Sequence, residues 1–249
     1  MARAALPGRL NWQSARVIEL VDETAHAKSL VLEAPRWSGY RAGQHVDIRL
    51  TAEDGYQAQR SYSIASAPED EQLVLTVELI EDGEVSPYLF EALAPGDELE
   101  LRGPIGGYFV WDEPLGGPLM LVGGGSGVVP FRSMLRHHAA LGATVPARLL
   151  YSSRSWEEVI YRGELQRLDT EPAIGVAFTL TRSWPSDWTG HRGRIDRALL
   201  ETACWTPAQR PLIYLCGPNA FVEAGAEALV QIGHDPERIR TERFGPSGT

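Results

Sequence analysis

Gly123-Gly124-Gly125-Ser126-Gly127-Val128-Val129-Pro130 follows the continuous apolar run Leu119–Val122 and leads into a helix-period stretch from Pro130 to about Leu141. A strand, a glycine turn and a helix in that order open an α/β sheet. Glycines there let the backbone approach a pyrophosphate, and the N–H groups of the helix start face the anion. The motif departs from G-x-G-x-x-G, because Val128 stands where the third glycine belongs. It lacks the Lys-Ser/Thr ending of a Walker A loop, which removes nucleoside-triphosphate hydrolysis. As a nucleophile elbow around Ser126 it also fails, since position 128 is not glycine, so hydrolysis by Ser126 with His191 or His234 finds no support. A purely structural glycine turn stays open.

Downstream, continuous apolar runs recur at Ala147–Tyr151, Gly175–Thr181 and Leu212–Cys216, interleaved with helical stretches at Glu157–Leu168, Arg194–Thr202 and Ala220–Ile232. That alternation predicts a doubly wound parallel sheet. Upstream, from Ala15 to about Gly103, short alternating runs are cut by turn signals: Arg16–Val21, Ser29–Glu33, His45–Leu50, Gln72–Ile80 and Glu98–Arg102. The breakers Ala34-Pro35, Ser38-Gly39, Glu53-Asp54-Gly55, Pro95-Gly96-Asp97 and Gly103-Pro104 suit a small closed antiparallel barrel. One helix interrupts it, Ser86 to Leu93, with Ser86 as N-cap and Pro87 at the first helical position. Periodicity dissolves between Tyr108 and Pro118, which places a domain boundary there: 1–112 and 113–249.

The 249 residues are 43% hydrophobic, enough for two domains of ordinary size. A formal net charge of -10 argues against nucleic acid as a partner, since counterion release needs clustered Lys and Arg. Met1 to Trp12 has no apolar run of signal-peptide length, and no stretch approaches the roughly 20 apolar residues of a membrane span. A soluble, cytoplasmic protein without a membrane span is the expectation. Only Cys204 and Cys216 are present, which supplies neither a disulfide framework nor the four thiolates of a zinc or iron–sulfur site. No metal is expected on this chain.

Two further segments suit an aromatic phosphoester. In Arg60-Ser61-Tyr62-Ser63-Ile64-Ala65-Ser66 a guanidinium offers paired donors to phosphate, a tyrosine offers a flat face, and small hydroxyls reach acceptors without crowding. Gly83-Glu84-Val85-Ser86-Pro87 puts a glycine turn before a helix start, a second anion site. An alternating strand and an ordinary capped helix are the alternatives. Cys216 stands where open α/β sheets bind ligands, at the carboxyl end of an apolar strand and before Gly217-Pro218, and is otherwise a small buried hydrophobe.

In order and spacing, Arg60-x-Tyr62-Ser63-x-x-Ser66, Gly83-x-x-Ser86, Gly103-Pro104-x-Gly106, the Gly123–Pro130 loop and Cys216-Gly217-Pro218 resemble the ferredoxin–NADP reductase superfamily. The resemblance spans nearly the whole chain and is nearest to the flavin modules of bacterial oxygenase reductases. It implies a six-stranded barrel binding FAD, followed by the α/β domain binding NAD(P). Arg60 then meets the flavin pyrophosphate, with Ser61 and Ser66 in the same segment, Tyr62 lies alongside the flavin, and Ser63 sits near N5 as a catalytic residue. Backbone groups of Val77, Glu78 and Leu79 line the pyrimidine side, while Gly83, Val85 and Ser86 supply helix-start donors. The nicotinamide cofactor's pyrophosphate lies against Gly124, Gly125, Ser126 and Gly127, with Pro130 behind. Its ring comes near Cys216, the second catalytic candidate, beside Gly217 and Pro218. Phe244 is a candidate flavin contact, although residues follow it here, whereas several relatives end at such an aromatic.

Hydride transfer from nicotinamide C4 to flavin N5 asks for stacked rings about 3–3.5 Å apart, and the cofactors carry the chemistry. Past the second strand of the α/β domain come Ser153 and Arg154, and an arginine there favours a 2′-phosphate, hence NADPH, with NADH possible because Glu157 and Glu158 follow. The expected activity is an NAD(P)H-dependent, FAD-containing reductase passing electrons to a separate acceptor: a ferredoxin, an oxygenase component or a small molecule. The alternative is a flavin-binding regulatory or electron-entry subunit with little turnover of its own.

Overall fold

The computed structural model describes residues 10–37 and 39–244 of the 249. Ser38 of the predicted Ser38-Gly39 turn, residues 1–9 and the residues after Phe244 lie outside that description. Six antiparallel strands form the first half: β1 (Gln13–Thr24), β2 (Ala27–Glu33), β3 (His45–Thr51), β4 (Gln57–Ser63), β5 (Leu73–Glu78) and β6 (Glu98–Ile105). Their order is β4-β3-β6-β1-β2-β5. A bridge between Ile64 and Leu75 joins the two outer strands, and Ala65 N–H donates to Val74 O at 2.7 Å, so the sheet curls shut as a barrel. Period-two alternation sends Leu30, Leu32, Leu75, Val77, Leu99 and Leu101 into the core and leaves their neighbours outside.

Arg60–Ser63 is the end of β4, paired with β3 from His45 to Thr51, so the alternating-strand reading holds for this segment. The predicted helix from Ser86 ends in a π-helical turn, Tyr88–Ala92, in which Leu93 N–H reaches Tyr88 O. Ser86 does not cap it. Its hydroxyl turns back to Ile80, accepting from the N–H at 3.1 Å, and so closes the preceding turn instead.

The second half is a parallel sheet of β7 (Leu119–Gly124), β8 (Ala147–Ser153), β9 (Ile174–Leu180), β10 (His191–Arg192), β11 (Leu212–Pro218) and β12 (Ile239–Phe244), ordered β10-β9-β8-β7-β11-β12. Helices α1 (Val129–Ala140), α2 (Arg162–Leu168), α3 (Arg197–Ala203) and α4 (Asn219–Ile232) cover it. The strands are apolar on both faces because both are covered: Leu121 and Tyr214 join one core, Val122 and Leu215 the other. The chain leaves β7 in one direction through β8 and β9, then returns to the other side as β11. The strand order therefore reverses between β7 and β11, where this architecture opens a ligand crevice.

Helix α2 starts at Arg162 rather than at Glu157 because Tyr161 is left-handed, with φ 59. Helix α3 starts at Arg197, capped by Asp196, whose carboxylate accepts from Leu199 N–H at 2.8 Å. Strand β12 was not predicted. Several contacts fix one half against the other. Arg136 pairs with Asp70 at 2.6 Å, Ser133 donates to Ser66 O at 2.6 Å, and Arg240 donates to Val110 O at 2.9 Å. No helix among the described residues is long and apolar enough to cross a membrane.

Candidate flavin and nucleotide site

A cleft of about 290 Å³ runs between the barrel and the α/β domain. Strand β4 contributes Arg60, Ser61, Tyr62 and Ser63, the α/β turn contributes Ser126, and β12 contributes Arg243 and Phe244. Ser63 carries the chemical signal. The residue is 5% exposed, and its hydroxyl is buried with no hydrogen-bond partner. An orphaned buried hydroxyl costs about 1–3 kcal/mol, so the site fits a ligand that brings a polar partner to it.

Arg60 sits at the mouth of the cleft, paired with Glu84 at 2.7 Å and donating to Gln59 O at 2.7 Å. Tyr56 donates to the same carboxylate at 2.7 Å. The Tyr56 hydroxyl and then the Arg60 guanidinium hold Glu84 below the ordinary carboxylate range. A phosphate bound at the mouth would have to displace the Glu84 carboxylate from this guanidinium. Gly83 is tightly set: a Cβ there would lie 2.9 Å from Ile80 O and 3.0 Å from Ser86 Oγ. Tyr62 is largely buried, which raises its phenol pKa and keeps it protonated.

On β5 the wall is made by Thr76 and Glu78, followed by Ile80. Val77 faces the barrel core, fully buried, and Leu79 N–H is used by His26 O at 2.8 Å. The Val77 side chain therefore points away from the cleft, as alternation along a strand requires, and the expected contacts of Val77, Glu78 and Leu79 are backbone ones. Ser66 is likewise not on the wall. Its hydroxyl accepts from Tyr40 at 2.8 Å and from Val74 N–H at 2.9 Å, which ties its lone pairs into barrel closure. Val85 is buried against the barrel core and, with Gly83 and Ser86, borders the cleft.

The glycine turn meets β11 at the point of strand reversal. A Cβ on Gly127 would lie 2.1 Å from Cys216 O, so the turn rests directly on the backbone of β11. Gly124 and Gly217 both face the Phe221 ring, where Cβ atoms would approach to 3.0 and 2.9 Å. Gly125 has φ +56, a left-handed conformation that glycine takes without penalty. Ser126 borders the cleft, and Pro130 occupies the first turn of α1. Part of this motif is therefore packing, and its half-buried tip, Gly125-Ser126, is what remains open to a ligand.

Cys216 is fully buried and does not border the cleft, although it ends the strand beside it. Burial first, and the Glu242 charge second, push its thiol well above the ordinary range, so it is a neutral thiol. Glu242 escaped the sequence reading. It lies opposite Cys216 in the β11–β12 register, and its Oε2 is buried without a partner. Burial pushes its carboxyl up to about 7. His45 approaches it at 3.7 Å from the barrel, and burial lowers the imidazole pKa. Both partners are driven toward their neutral forms, so near neutral pH the pair is a polar contact rather than an ion pair.

A stability prediction follows from Glu242. Folding raises its pKa, so between 4.5 and about 7 the folded chain holds more protons than the unfolded one, and stability falls as pH rises through that window. Glu242→Gln is expected to raise the melting temperature of the flavin-free protein at pH 8 and to leave it unchanged at pH 5. The expected gain is at most about 3 kcal/mol. Equal shifts at both pH values would show that the buried charge is not the cause.

At the far side of the sheet, Ser153 O accepts from Thr181 N–H at 3.0 Å, and Arg154 is exposed just past β8. Trp156 stands beside it in an aromatic cluster, 5.3 Å from Phe178 and 5.1 Å from Trp188. Pro218 is exposed at the end of β11, and Gly217 is buried. The sequence reading also missed Thr76, Ile80, Glu84 and Arg243 on or at the cleft. Only strand alternation from Glu78 could have supplied Thr76 and Ile80.

Residues 16–110 match the oxidoreductase FAD-binding domain family and residues 121–227 the oxidoreductase NAD-binding domain family. The chain is 34% identical over 237 residues to ferredoxin–NADP reductase B of Sorangium cellulosum, covering 92% of this chain and 91% of that protein. It is 32% identical over 236 residues to the glycine betaine monooxygenase reductase subunit of Chromohalobacter salexigens, covering 92% of this chain but 63% of that one. Thus it spans less than two thirds of that relative's length. Among solved structures, the Amycolatopsis cytochrome P450 reductase superposes with a TM-score of 0.84 at 28% identity, covering 96% of this chain and 71% of that one. The flavohem-like FAD/NAD-binding domain of the Vibrio cholerae nitric oxide dioxygenase does so with 0.83 at 26% identity, covering 94% and 99%. With both domain families matched in order on one barrel and one doubly wound sheet, the chain belongs to the ferredoxin–NADP reductase superfamily.

Proposed function

We propose that this chain is an NAD(P)H-dependent FAD reductase that takes hydride from NADPH, with NADH a weaker donor, and passes electrons to an acceptor outside these 249 residues. One observation carries the reading: the unpartnered Ser63 hydroxyl and the Arg60 guanidinium open onto a single cleft that both domains wall. Bound FAD would supply the hydride-accepting and electron-donating chemistry. Arg60 and Ser86 would hold its phosphate end, Tyr62 and Phe244 its ring, and Ser63 would donate to a ring atom that gains electron density. The Gly125-Ser126 tip would receive the nucleotide pyrophosphate at the strand reversal, with Gly217 and Pro218 beside the nicotinamide and Cys216 packed behind. We take the division near residue 112 as the functional one and the cytoplasm as the compartment. The two cysteines, both buried singly, cannot hold an iron–sulfur cluster, so the electron acceptor is a ferredoxin, an oxygenase component or a small molecule.

An absorbance spectrum of the purified protein, followed by anaerobic titration with NADPH and separately NADH, tests the reading. A yellow protein that neither nucleotide bleaches would sink it and leave the regulatory alternative. Arg60→Ala is expected to weaken FAD retention by about tenfold or more, the worth of a charge-assisted hydrogen bond, measured by flavin release on dilution. Arg154→Ala is expected to raise KM for NADPH about tenfold and to leave that for NADH nearly unchanged, in initial-rate assays with ferricyanide. An unchanged preference removes Arg154 from the site.

A further inference from the structure

A series of hydroxyls runs from the cleft along the outer face of the barrel, against the α/β domain. Thr76 borders the cleft and is 4% exposed. Its Oγ1 accepts from the Tyr161 hydroxyl of the α/β domain and lies 2.8 Å from Ser29 Oγ, which donates to Glu23 Oε1 at 2.7 Å. A hydroxyl has one proton and two lone pairs. With the Tyr161 proton on one lone pair and its own proton directed to Ser29, Thr76 keeps one lone pair free. Ser29 is occupied by Thr76 on one side and Glu23 on the other. While Glu23 is ionised, every donor points the same way, from the cleft to the carboxylate.

Glu23 is suited to end such a series. It lies half-buried near the end of β1, and burial raises its pKa above 4.5. Ser29, Arg132 and the Tyr161 backbone N–H face it and work against that rise, while Glu164 adds to it. Its partial exposure, beside Arg132 and Glu164 of the α/β domain, leaves it within reach of water.

We propose that Thr76, Ser29 and Glu23 form a proton relay between the cleft and the outer surface of the barrel, a proposal that rests on the reductase reading above. A proton from a group bound in the cleft passes to Thr76 Oγ1 as the Thr76 proton passes to Ser29 Oγ and the Ser29 proton to Glu23 Oε1. Three O–H bonds form, three bonds to hydrogen break, no electrons move, and water takes the proton from Glu23. Such an exit has a use in this chemistry. Hydride brings one proton with two electrons, and a one-electron acceptor removes only the electrons.

The test uses the full chain loaded with FAD and reduced by NADPH, then mixed with ferricyanide in weak buffer containing a pH-indicator dye. Flavin absorbance and dye signal are followed together. In the unmodified protein proton release keeps pace with reoxidation. In Glu23→Gln and Ser29→Ala it lags by at least about tenfold, as expected on losing a positioned proton carrier, and Ser29→Thr restores it. Release that keeps pace in Glu23→Gln, or Ser29→Thr as slow as Ser29→Ala, overturns the relay. Should Glu23→Gln fail to fold, the two Ser29 variants decide. A second readout needs no flavin: the Glu23 side-chain carbon resonance titrates above 4.5 in the flavin-free protein and shifts in Ser29→Ala. A protein that NADPH never reduces defeats the reductase reading instead, and a Glu23 titration indifferent to Ser29 then defeats the relay separately.

Discussion

Gly127→Ala is expected to give one of the largest losses of stability of any single methyl group added among the described residues. The new Cβ would lie 2.1 Å from the Cys216 carbonyl oxygen and 2.4 Å from its carbon. These are backbone atoms of a central strand, so no flexible side chain can move aside. Relief requires separating the glycine turn from β11, which disturbs the pairing of β11 with β7 and the core beneath it. Overpacking of this kind costs about 3 kcal/mol or more, a large share of a typical stability. The measurement is the urea midpoint of the purified variant, alongside Gly107→Ala, where a Cβ meets nothing within 4 Å. Gly107→Ala should match the unmodified protein. If Gly127→Ala does too, the turn does not rest on β11 in solution. A folded Gly127→Ala variant should still bind nicotinamide nucleotide poorly, because the tip is displaced from the strand reversal.

Ser63→Ala should separate stability from activity in the opposite sense. The hydroxyl has no partner in the folded chain, so removing it takes away an unsatisfied buried group and leaves the melting temperature unchanged or slightly higher. Reduction of bound FAD by NADPH should slow by about 10²–10³, the usual effect of deleting one donor aimed at developing negative charge. Ser63→Thr keeps the hydroxyl and should recover most of the rate. Stopped-flow bleaching and a thermal melt on the same preparations suffice. A large drop in melting temperature with an unchanged rate would assign Ser63 to packing.

Much of the fold was legible because burial and pattern coincide. Leu30, Leu32, Leu75 and Val77 alternate into one core, and β7, β8 and β11 are continuous apolar runs because helices cover both their faces. The cofactor segments were legible where backbone geometry dictates residue type, as at Gly83 and in the turn before α1. Strand β12 was not, because Ile239-Arg240-Thr241-Glu242-Arg243-Phe244 reads as a charged tail. Its hold on the sheet comes from pairing with β11 and from Arg240, whose guanidinium donates to Tyr108 O and Val110 O. Glu242 was invisible for the same reason, since only the fold buries it. Phe109 and Trp111, in a stretch without periodicity, are buried because they plug the join between the halves. The start of α2 depends on Tyr161 adopting φ 59, which no local propensity announces.

Strand β12 has a consequence for how the protein is made. The barrel, with Arg60, Tyr62 and Ser63, is complete once β6 has emerged from the ribosome, but Arg243 and Phe244 of the same cleft are translated more than a hundred residues later. Until β12 docks beside β11, the cleft lacks one of its walls, and any flavin resting on the nascent barrel is exposed on that side. Firm cofactor retention is thus a report that synthesis has run through Phe244, and chains cut short before Ile239 should emerge colourless even where their barrel has folded.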